Sequence, residues 1–282
     1  MTAPLTVSAI QYAALGGGIY ANVPEHVRLI EDADSHGARL VLFPELSLTG
    51  YDLPLLRGGD QSHAGDQWVA PGDHRLDPIR EICRRTGITA VVGAPFREPD
   101  GTPRLASLAV HPNGTDEAGF KTHLHGDEQS LFEAGPGYEA GPGSEDGRSE
   151  DGRFGEGQGV EAGQEPLLLD VDGWKIALAI CFDAAHPAHS GAAAAAGADV
   201  YAVSALYTQE EGHRLGLHLG ARAMDNRMYG VLANLGGRTP LGPSCGLSGF
   251  WGPDGLSMQQ AGGTGTEVVT AVLQRGSLER YR

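Results

Sequence analysis

The chain has 282 residues, of which 40% are hydrophobic and 20% are charged, a composition that can bury a substantial core. Its 36 acidic and 20 basic residues give a formal net charge of −16, and a field of that sign repels nucleic acids and anionic membranes. These properties favour a single domain, residues 1–282, with a small molecule as its partner.

Strand-like and helix-like segments alternate through most of the chain. Runs rich in Val, Ile and Leu predict strands at residues 5–10, 39–43, 88–92, 105–110, 174–180, 200–205, 230–234 and 266–272. Apolar residues at helical spacing predict helices at residues 23–38, 73–86, 185–196 and 214–228. This alternation indicates an α/β architecture.

The compartment is indicated by the amino-terminal residues, the apolar runs and the cysteines. Residues 1–12 lack the features of a signal peptide and fit a first strand. No run reaches the roughly 18 apolar residues that a membrane span requires. The three cysteines, Cys83, Cys181 and Cys245, have no paired spacing that would indicate disulfides or a CxxC metal site. We therefore expect a cytoplasmic protein without a membrane partner.

Residues 139–165 differ in composition from the rest of the chain. They hold eight glycines and eight acidic residues, and they include the tandem repeat SEDGRSEDGR from Ser144 to Arg153. Such a segment cannot bury enough apolar surface to offset the entropy of ordering it. We predict a solvated surface insertion in the domain, with a docking tail as the alternative.

Cys181 is the first candidate for chemistry. It follows the apolar run WKIALAI and precedes a segment in which Pro187 can open a helix, so the thiol is predicted at a strand-to-helix junction. Backbone N–H groups at such a junction can stabilise a thiolate and an oxyanion. The alternative is a buried apolar cysteine, which is our interpretation of Cys83, while Cys245 lies in a Gly-rich loop without a base nearby in sequence.

Glu45 and Lys121 also follow extended segments. Glu45 comes directly after the strand RLVLF and Pro44, where partial burial would raise the pKa of its carboxyl group towards the range of a general base. Lys121 has His123 and His125 close by in sequence. An ordinary loop carboxylate and a surface lysine are the alternatives.

The histidines near Lys121 and Cys181 allow two further interpretations. His123 and His125 would share one face of a strand, but a third ligand at a suitable spacing is missing, so no metal is expected. His186 lies five residues after Cys181 and would give a Cys–His pair, although folds rather than sequence adjacency usually form such pairs. We rank this pair below Glu45 as the base.

Four segments together resemble, in order and spacing, the signatures of the nitrilase-like carbon-nitrogen hydrolases. They are FPELSLTGY around Glu45, FKTHL around Lys121, ICFDAAHP around Cys181, and RAMDNRMYGVLANLGG from Arg222. The resemblance spans nearly the whole chain. It implies an αββα sandwich, in which two sheets pack face to face with helices outside, and assembly as a homodimer or larger homo-oligomer.

The resemblance also implies a role for each candidate residue. Glu45 would take the proton of Cys181, and Lys121 with the backbone N–H of Phe182 would hold the oxyanion of a reaction that passes through a thioester. Glu128 matches a second acidic position that follows the lysine in many members of the family. No metal or organic cofactor is implied.

The substrate stays open at this point. His186, Pro187 and Ala188 stand where the family usually has the sequence FPE, so His186 is a candidate substrate-binding residue. Tyr51, which begins the loop at residues 51–63, is another.

Three functions remain as alternatives. The sequence Cys181-Phe182-Asp183 resembles the amidase and carbamoylase branches, which favours a small linear amide or N-carbamoyl compound as the substrate. A nitrilase or an amide-acyl transferase would use the same Glu-Lys-Cys site. A catalytically silent binding protein of this fold is the alternative from another class.

Overall fold

The computed structural model describes residues 3–57, 66–136 and 166–282, so the insertion predicted at residues 139–165 lies outside the described residues. The α-helices are α1 Ile19–Ser35, α2 Leu53–Leu56, α3 Asp77–Thr86, α4 Pro187–Ala195, α5 Gly212–Asn226 and α6 Arg275–Tyr281. The strands are β1 Leu5–Gln11, β2 Leu40–Leu42, β3 Thr89–Arg97, β4 Pro103–Val110, β5 Asp116–Phe120, β6 Leu168–Val171, β7 Trp174–Ile180, β8 Val200–Ala205, β9 Tyr229–Asn234, β10 Arg238–Thr239, β11 Gly242–Pro243, β12 Gly249–Trp251, β13 Ser257–Gln260 and β14 Glu267–Leu273.

Two six-stranded sheets of similar design form the centre of the fold. The first has the order β14-β1-β2-β3-β4-β5 and the second has the order β13-β12-β9-β8-β7-β6. Three neighbouring strands are parallel in each sheet, β1-β2-β3 in the first and β7-β8-β9 in the second. The remaining neighbours pair antiparallel, including β1 with β14 over Leu5–Gln11 and Glu267–Leu273. Each sheet is therefore mixed.

Side-chain alternation along the strands explains the layers. In β2, Leu40 and Leu42 lie in the core between the two sheets, where they join Ile176 and Val200 of the second sheet. Val41 instead joins the core that packs β1–β4 against α1 and α3. A third core packs the second sheet against α4 and α5. The predicted αββα sandwich is confirmed, because successive residues of a strand point to opposite faces and both faces are buried.

The predicted elements differ from the structure mainly at their ends. The strands predicted at 174–180 and 200–205 coincide with β7 and β8, whereas a 3-10 turn at His74–Leu76 precedes α3 and another at Cys181–Ala185 precedes α4. A proline at N1 or N2 begins each of these two helices, and that residue is tolerated in the first turn of a helix because it lacks an N–H donor. None of the helices in the described ranges is long and apolar enough to cross a membrane.

The strand directions bring several loops to one end of the sandwich. In parallel strands the carboxyl ends meet at one edge, and β2, β5, β7, β8 and β9 all lead into loops there. The Ser204 hydroxyl donates to the Phe43 carbonyl across the two sheets at 2.7 Å. An isolated bridge between Tyr12 and Leu235 joins the sheets at the same end.

Candidate active site

Glu45 follows β2 and is almost completely buried, with 1% of its surface exposed. Gly93 of β3 passes so close to this segment that a Cβ there would lie 2.3 Å from the Pro44 carbonyl oxygen and 2.4 Å from the Leu46 nitrogen. The Gly93 N–H donates to the Ser47 hydroxyl at 3.1 Å. Only glycine fits this approach, which fixes the backbone that carries Glu45.

Lys121 lies directly after β5 and joins two carboxylates. Its Nζ donates to Glu45 Oε1 and to Glu128 Oε1, both at 2.7 Å. Glu128 also accepts from the Tyr51 hydroxyl at 2.6 Å and from the His125 backbone N–H at 2.8 Å. In contrast, Glu45 Oε2 is buried and has no hydrogen-bond partner among the described residues. Glu128 is therefore held by three groups, while one oxygen of Glu45 is left available.

Cys181 is the first residue of the 3-10 turn that follows β7. Its backbone lies in the left-handed region, with φ of 47°, and its Sγ donates to the Leu206 carbonyl at 3.6 Å. The residue is partly exposed. The first N–H groups of a helical turn have no partner within the turn, so the chain after Cys181 offers donors beside the thiol.

Backbone strain accompanies this group of side chains. Leu46, Tyr51 and Cys181 have positive φ values of 47°, 63° and 47°, which are costly for residues with a Cβ. Such conformations persist only where the surrounding structure enforces them, and they are common at active sites. The strain therefore supports a functional role for this end of the sandwich.

The charges of the site determine its resting protonation. Burial raises the pKa of the Glu45 carboxyl group, the Lys121 ammonium group lowers it, and the Glu128 carboxylate raises it again. The resulting pKa is about 7. Burial would lower the pKa of Lys121, but Glu45 and Glu128 raise it above the usual lysine value. Burial and the Glu45 carboxylate raise the pKa of the Cys181 thiol. The resting site therefore has a charged ammonium group, a protonated thiol and a carboxylate able to take a proton near neutral pH.

The histidines near Cys181 pack against one another and against Phe182. His123 stacks on His186 at 3.7 Å between ring centroids, and the rings of His125 and Phe182 are 5.0 Å apart. Within residues 3–57, 66–136 and 166–282, no three or more His, Cys, Asp or Glu side chains are grouped to hold a metal ion. The Cys181 thiol donates to the Leu206 carbonyl instead of pairing with His186. His186 Nε2 is buried and finds no partner in the described part of the chain.

Asp183, Tyr207, His218 and Asn234 lie at this site, and no role was predicted for them from the sequence. Asp183 connects the turn at Cys181 to the segment after Lys121, through bonds to the Ile180 and Thr122 backbones. Tyr207 is buried, and this burial raises the pKa of its phenol. Its hydroxyl lies 3.0 Å from His218 Nδ1.

Asn234, at the end of β9, holds the loop that contains Tyr207. Its Oδ1 accepts from the Tyr207 N–H at 2.7 Å, and its Nδ2 donates to the Gly246 carbonyl at 2.8 Å. Asn234 itself falls within the RAMDNRMYGVLANLGG segment. That segment carried the signal for this residue, whereas nothing in sequence spacing indicates Tyr207 or His218.

The chain is similar to several known proteins. The family model described as carbon-nitrogen hydrolase matches residues 6–282. The chain is 29% identical to the hydrolase in the pqqF 5′ region of Pseudomonas protegens, over 80% of this chain and 68% of that protein. It is 27% identical to a hydrolase of Mycobacterium tuberculosis, over 70% of this chain and 61% of that protein.

A solved structure shares the fold over almost the entire length. It is a variant of the amidase from Nesterenkonia sp. AN1 in complex with acrylamide, with a TM-score of 0.77 and 22% sequence identity. The superposition covers 99% of this chain and 94% of that one. The sandwich described above is therefore a fold that this amidase also has.

Proposed function

Because this chain belongs to the carbon-nitrogen hydrolase family and is by that membership a hydrolase of carbon–nitrogen bonds, we propose that it cleaves a small linear amide or N-carbamoyl compound with Cys181 as nucleophile. The bond is not a peptide bond. In this proposal Glu45 is the general base, Lys121 stabilises the oxyanion and Glu128 holds Lys121. No metal or organic cofactor takes part.

One observation carries the proposal. Lys121 lies between two buried carboxylates, and one of them, Glu45, retains an oxygen without a partner in the described residues. The thiol of Cys181 is close enough to this group for Glu45 and Lys121 to change its pKa in opposite directions. A nucleophile, a base and a cation at one site are the parts that acyl transfer requires.

The first half of the reaction forms a thioester. Cys181 Sγ attacks the substrate carbonyl carbon while the thiol proton passes to Glu45. The carbonyl oxygen becomes an oxyanion, which Lys121 Nζ and the backbone N–H of Phe182 stabilise. The carbon–nitrogen bond then breaks, and the leaving nitrogen takes the proton from Glu45. Ammonia or an amine departs and the acyl group stays on sulfur.

The second half restores the enzyme. Glu45 is again ionised and removes a proton from a water molecule that attacks the thioester carbon. The same donors stabilise the second oxyanion, and the carbon–sulfur bond breaks as Cys181 regains its proton. One carboxylate therefore serves both halves of the reaction, which agrees with its raised pKa of about 7.

The distinction between amides and nitriles follows from the donors. An amide gives an oxyanion, which matches a cation and an N–H group, whereas a nitrile gives a thioimidate whose nitrogen requires protonation before water attacks. The amidase of similar fold was solved with acrylamide, which supports the choice of amides. We expect a higher kcat/KM for an amide than for the nitrile of the same carbon skeleton.

The proposal is tested with purified protein and a library of small amides, by intact-mass spectrometry and by ammonia release. A covalent acyl adduct on Cys181 and turnover of at least one amide are expected. Kinetics on a matched amide and nitrile pair then decide between amidase and nitrilase, and a higher kcat/KM for the nitrile contradicts the amide preference. Because hydroxylamine can intercept the thioester of either enzyme, an acyl transferase would be indicated instead by transfer to an amine acceptor that outcompetes hydrolysis by water.

Cysteine variants identify the nucleophile. Cys181→Ala should abolish turnover, and Cys83→Ala and Cys245→Ala are matched controls that should retain most of it. Cys83 is buried in the core on α3, so its variant also reports the effect of a cysteine change on stability. Turnover by Cys181→Ala near the parent rate would show that the nucleophile is wrong, and no adduct or turnover with any compound would favour a silent binding protein.

A further inference from the structure

Asp183 connects the two chain segments that carry the proposed nucleophile and the proposed oxyanion cation. Its Oδ2 accepts from the Ile180 N–H at 3.1 Å, directly before Cys181. Its Oδ1 accepts from the N–H groups of Thr122 at 3.2 Å and His123 at 2.9 Å, directly after Lys121. One buried carboxylate thus joins the end of β7 in the second sheet to the end of β5 in the first.

We propose that Asp183 is a positioning residue that sets the separation between the Cys181 thiol and the Lys121 ammonium group. The inference rests on the proposed function, because it assigns Asp183 to that same reaction. Asp183 does not act on the reacting atoms itself. It acts through the backbones that present them.

The hydrogen bonds of Asp183 are numerous and come from side chains as well as from the backbone. The Thr122 hydroxyl donates to Oδ1 at 2.7 Å, and His123 Nδ1 lies 2.8 Å from the same oxygen. His189 Nε2 lies 3.8 Å from Oδ2. Bonds to an ionised acceptor are roughly twice as strong as neutral ones, so this carboxylate holds both segments firmly.

The charge of Asp183 is maintained despite its burial. Burial alone would raise its pKa, but His189, His123 and the Thr122 hydroxyl together hold the pKa well below the usual aspartate value. The group is therefore ionised across the neutral range and only accepts hydrogen bonds. An acceptor of this kind suits a site at which backbone N–H groups from two sheets converge.

The stacked rings of His123 and His186 support the hydrogen bond between His123 and Asp183. His123 carries the Nδ1 that bonds Asp183, and its ring stacks on His186 at 3.7 Å. His186 in turn meets Phe182 edge to face at 4.9 Å. The rings fill the space beside the turn at Cys181 and restrict how the His123 side chain can move.

Asp183 affects catalysis through the distance between the reacting groups. Cys181 has φ of 47°, a conformation that persists only when its surroundings enforce it, and the Ile180–Asp183 bond lies at this point. A displacement of reacting groups by about 1 Å can reduce a rate by about 10²-fold. Weakening the hydrogen bonds of Asp183 should therefore lower kcat more than it weakens substrate binding.

The first test is Asp183→Asn, which keeps the size of the side chain but replaces one acceptor with a donor that faces other donors. We expect kcat to fall about 100-fold with KM within about threefold of the parent. Thr122→Val removes one hydroxyl donor, and His123→Phe keeps a ring on His186 while removing Nδ1. These two variants should lower kcat by about fivefold each, and they remain informative if Asp183→Asn does not fold.

Asp199→Asn is the matched control. Asp199 is also buried and accepts from the Lys175 N–H at 3.0 Å and from Arg275 and Arg282. It precedes β8, at the end of the second sheet opposite to the one from which Cys181 emerges. This variant should lose thermal stability and keep kcat within about threefold. Equal kcat losses in the two Asn variants would overturn the inference, because a general structural cost would then explain both.

A measurement without substrate separates this inference from the proposed function. The rate of Cys181 alkylation by iodoacetamide, quantified by peptide mass spectrometry, should fall about tenfold in Asp183→Asn because the thiol moves from its base. A rate equal to or above that of the parent would overturn the positioning role. If neither the parent nor any variant hydrolyses amides, but alkylation of Cys181 is slower in Asp183→Asn, the proposed function fails and the positioning role stands.

Discussion

Two buried carboxylates contact adjacent residues of one segment, yet they are held in opposite ways. Glu45 and Asp183 are each 1% exposed, and they bind Lys121 and Thr122 respectively. Glu45 has one oxygen without a partner in the described residues, and burial raises its pKa to about 7. Asp183 has partners on both oxygens and a lowered pKa.

The difference shows that burial alone does not identify a reactive carboxylate. Desolvation disfavours the charged form of both groups, but hydrogen bonds to the ionised form reverse this for Asp183. A fully satisfied carboxylate holds structure, whereas an incompletely satisfied one can exchange a proton. The number of donors, and not the depth of burial, separates the proposed base from the proposed positioning residue.

The largest expected effect is that of Glu45→Gln. Turnover should fall by at least about 10³-fold because the amide cannot accept the thiol proton, while the free energy of unfolding should change by less than about 1 kcal/mol since Lys121 retains Glu128. Steady-state kinetics and urea unfolding measure the two quantities. Asp183→Asn should lose more stability than Glu45→Gln, and the reverse ranking would contradict the difference inferred between the two carboxylates.

The pH profile distinguishes the two groups without mutation. Glu45 must be ionised to act as a base, and with its pKa raised to about 7 it becomes protonated as the pH falls through that value. We therefore expect kcat/KM to fall about tenfold per pH unit below about pH 7. Asp183 stays ionised throughout, so far-ultraviolet circular dichroism should show an unchanged fold. A profile that is flat between about pH 5 and pH 8 would contradict the role of Glu45 as the base.

A smaller effect is expected for Tyr51→Phe. The variant removes the hydroxyl that donates to Glu128 at 2.6 Å, but Lys121 and the His125 N–H still bind that carboxylate. The free energy of unfolding should fall by about 1–2 kcal/mol and kcat by a few-fold. Tyr20→Phe is the control, because Tyr20 is 63% exposed. If both variants behave alike, the Tyr51 hydroxyl does not support the site.

Much of the fold and the central part of the site could be predicted from the sequence. The runs WKIALAI and VYAVSA are apolar apart from Lys175 and Ser204, and every residue in them except Lys175 is buried. This pattern is typical of central strands in layered folds. Glu45, Lys121 and Cys181 were each predicted to follow an extended run, and the resemblance to the family implied that they form one site. The face-packed arrangement of the two sheets came only from the resemblance to the family.

The remaining features depend on contacts between residues far apart in sequence. Asp183 and Thr122 are separated by 61 positions, and no local pattern records their hydrogen bond. Gly93 resembles any glycine within a strand, although a Cβ there would collide with the segment that carries Glu45. Tyr51 was predicted to bind substrate, and its hydroxyl donates to Glu128, so its substrate role stays a prediction.

The pairing of β1 with β14 has a consequence for folding during translation. Leu5 pairs with Leu273 and Gln11 with Glu267, so one edge of β1 has no partner until residues 267–273 have been translated. At about 5–20 residues per second, that interval is on the order of 10 to 50 s. An apolar strand with an open edge invites pairing with other nascent chains during this time. Slow closure of the first sheet should therefore make the yield of folded protein sensitive to translation rate and to chaperones.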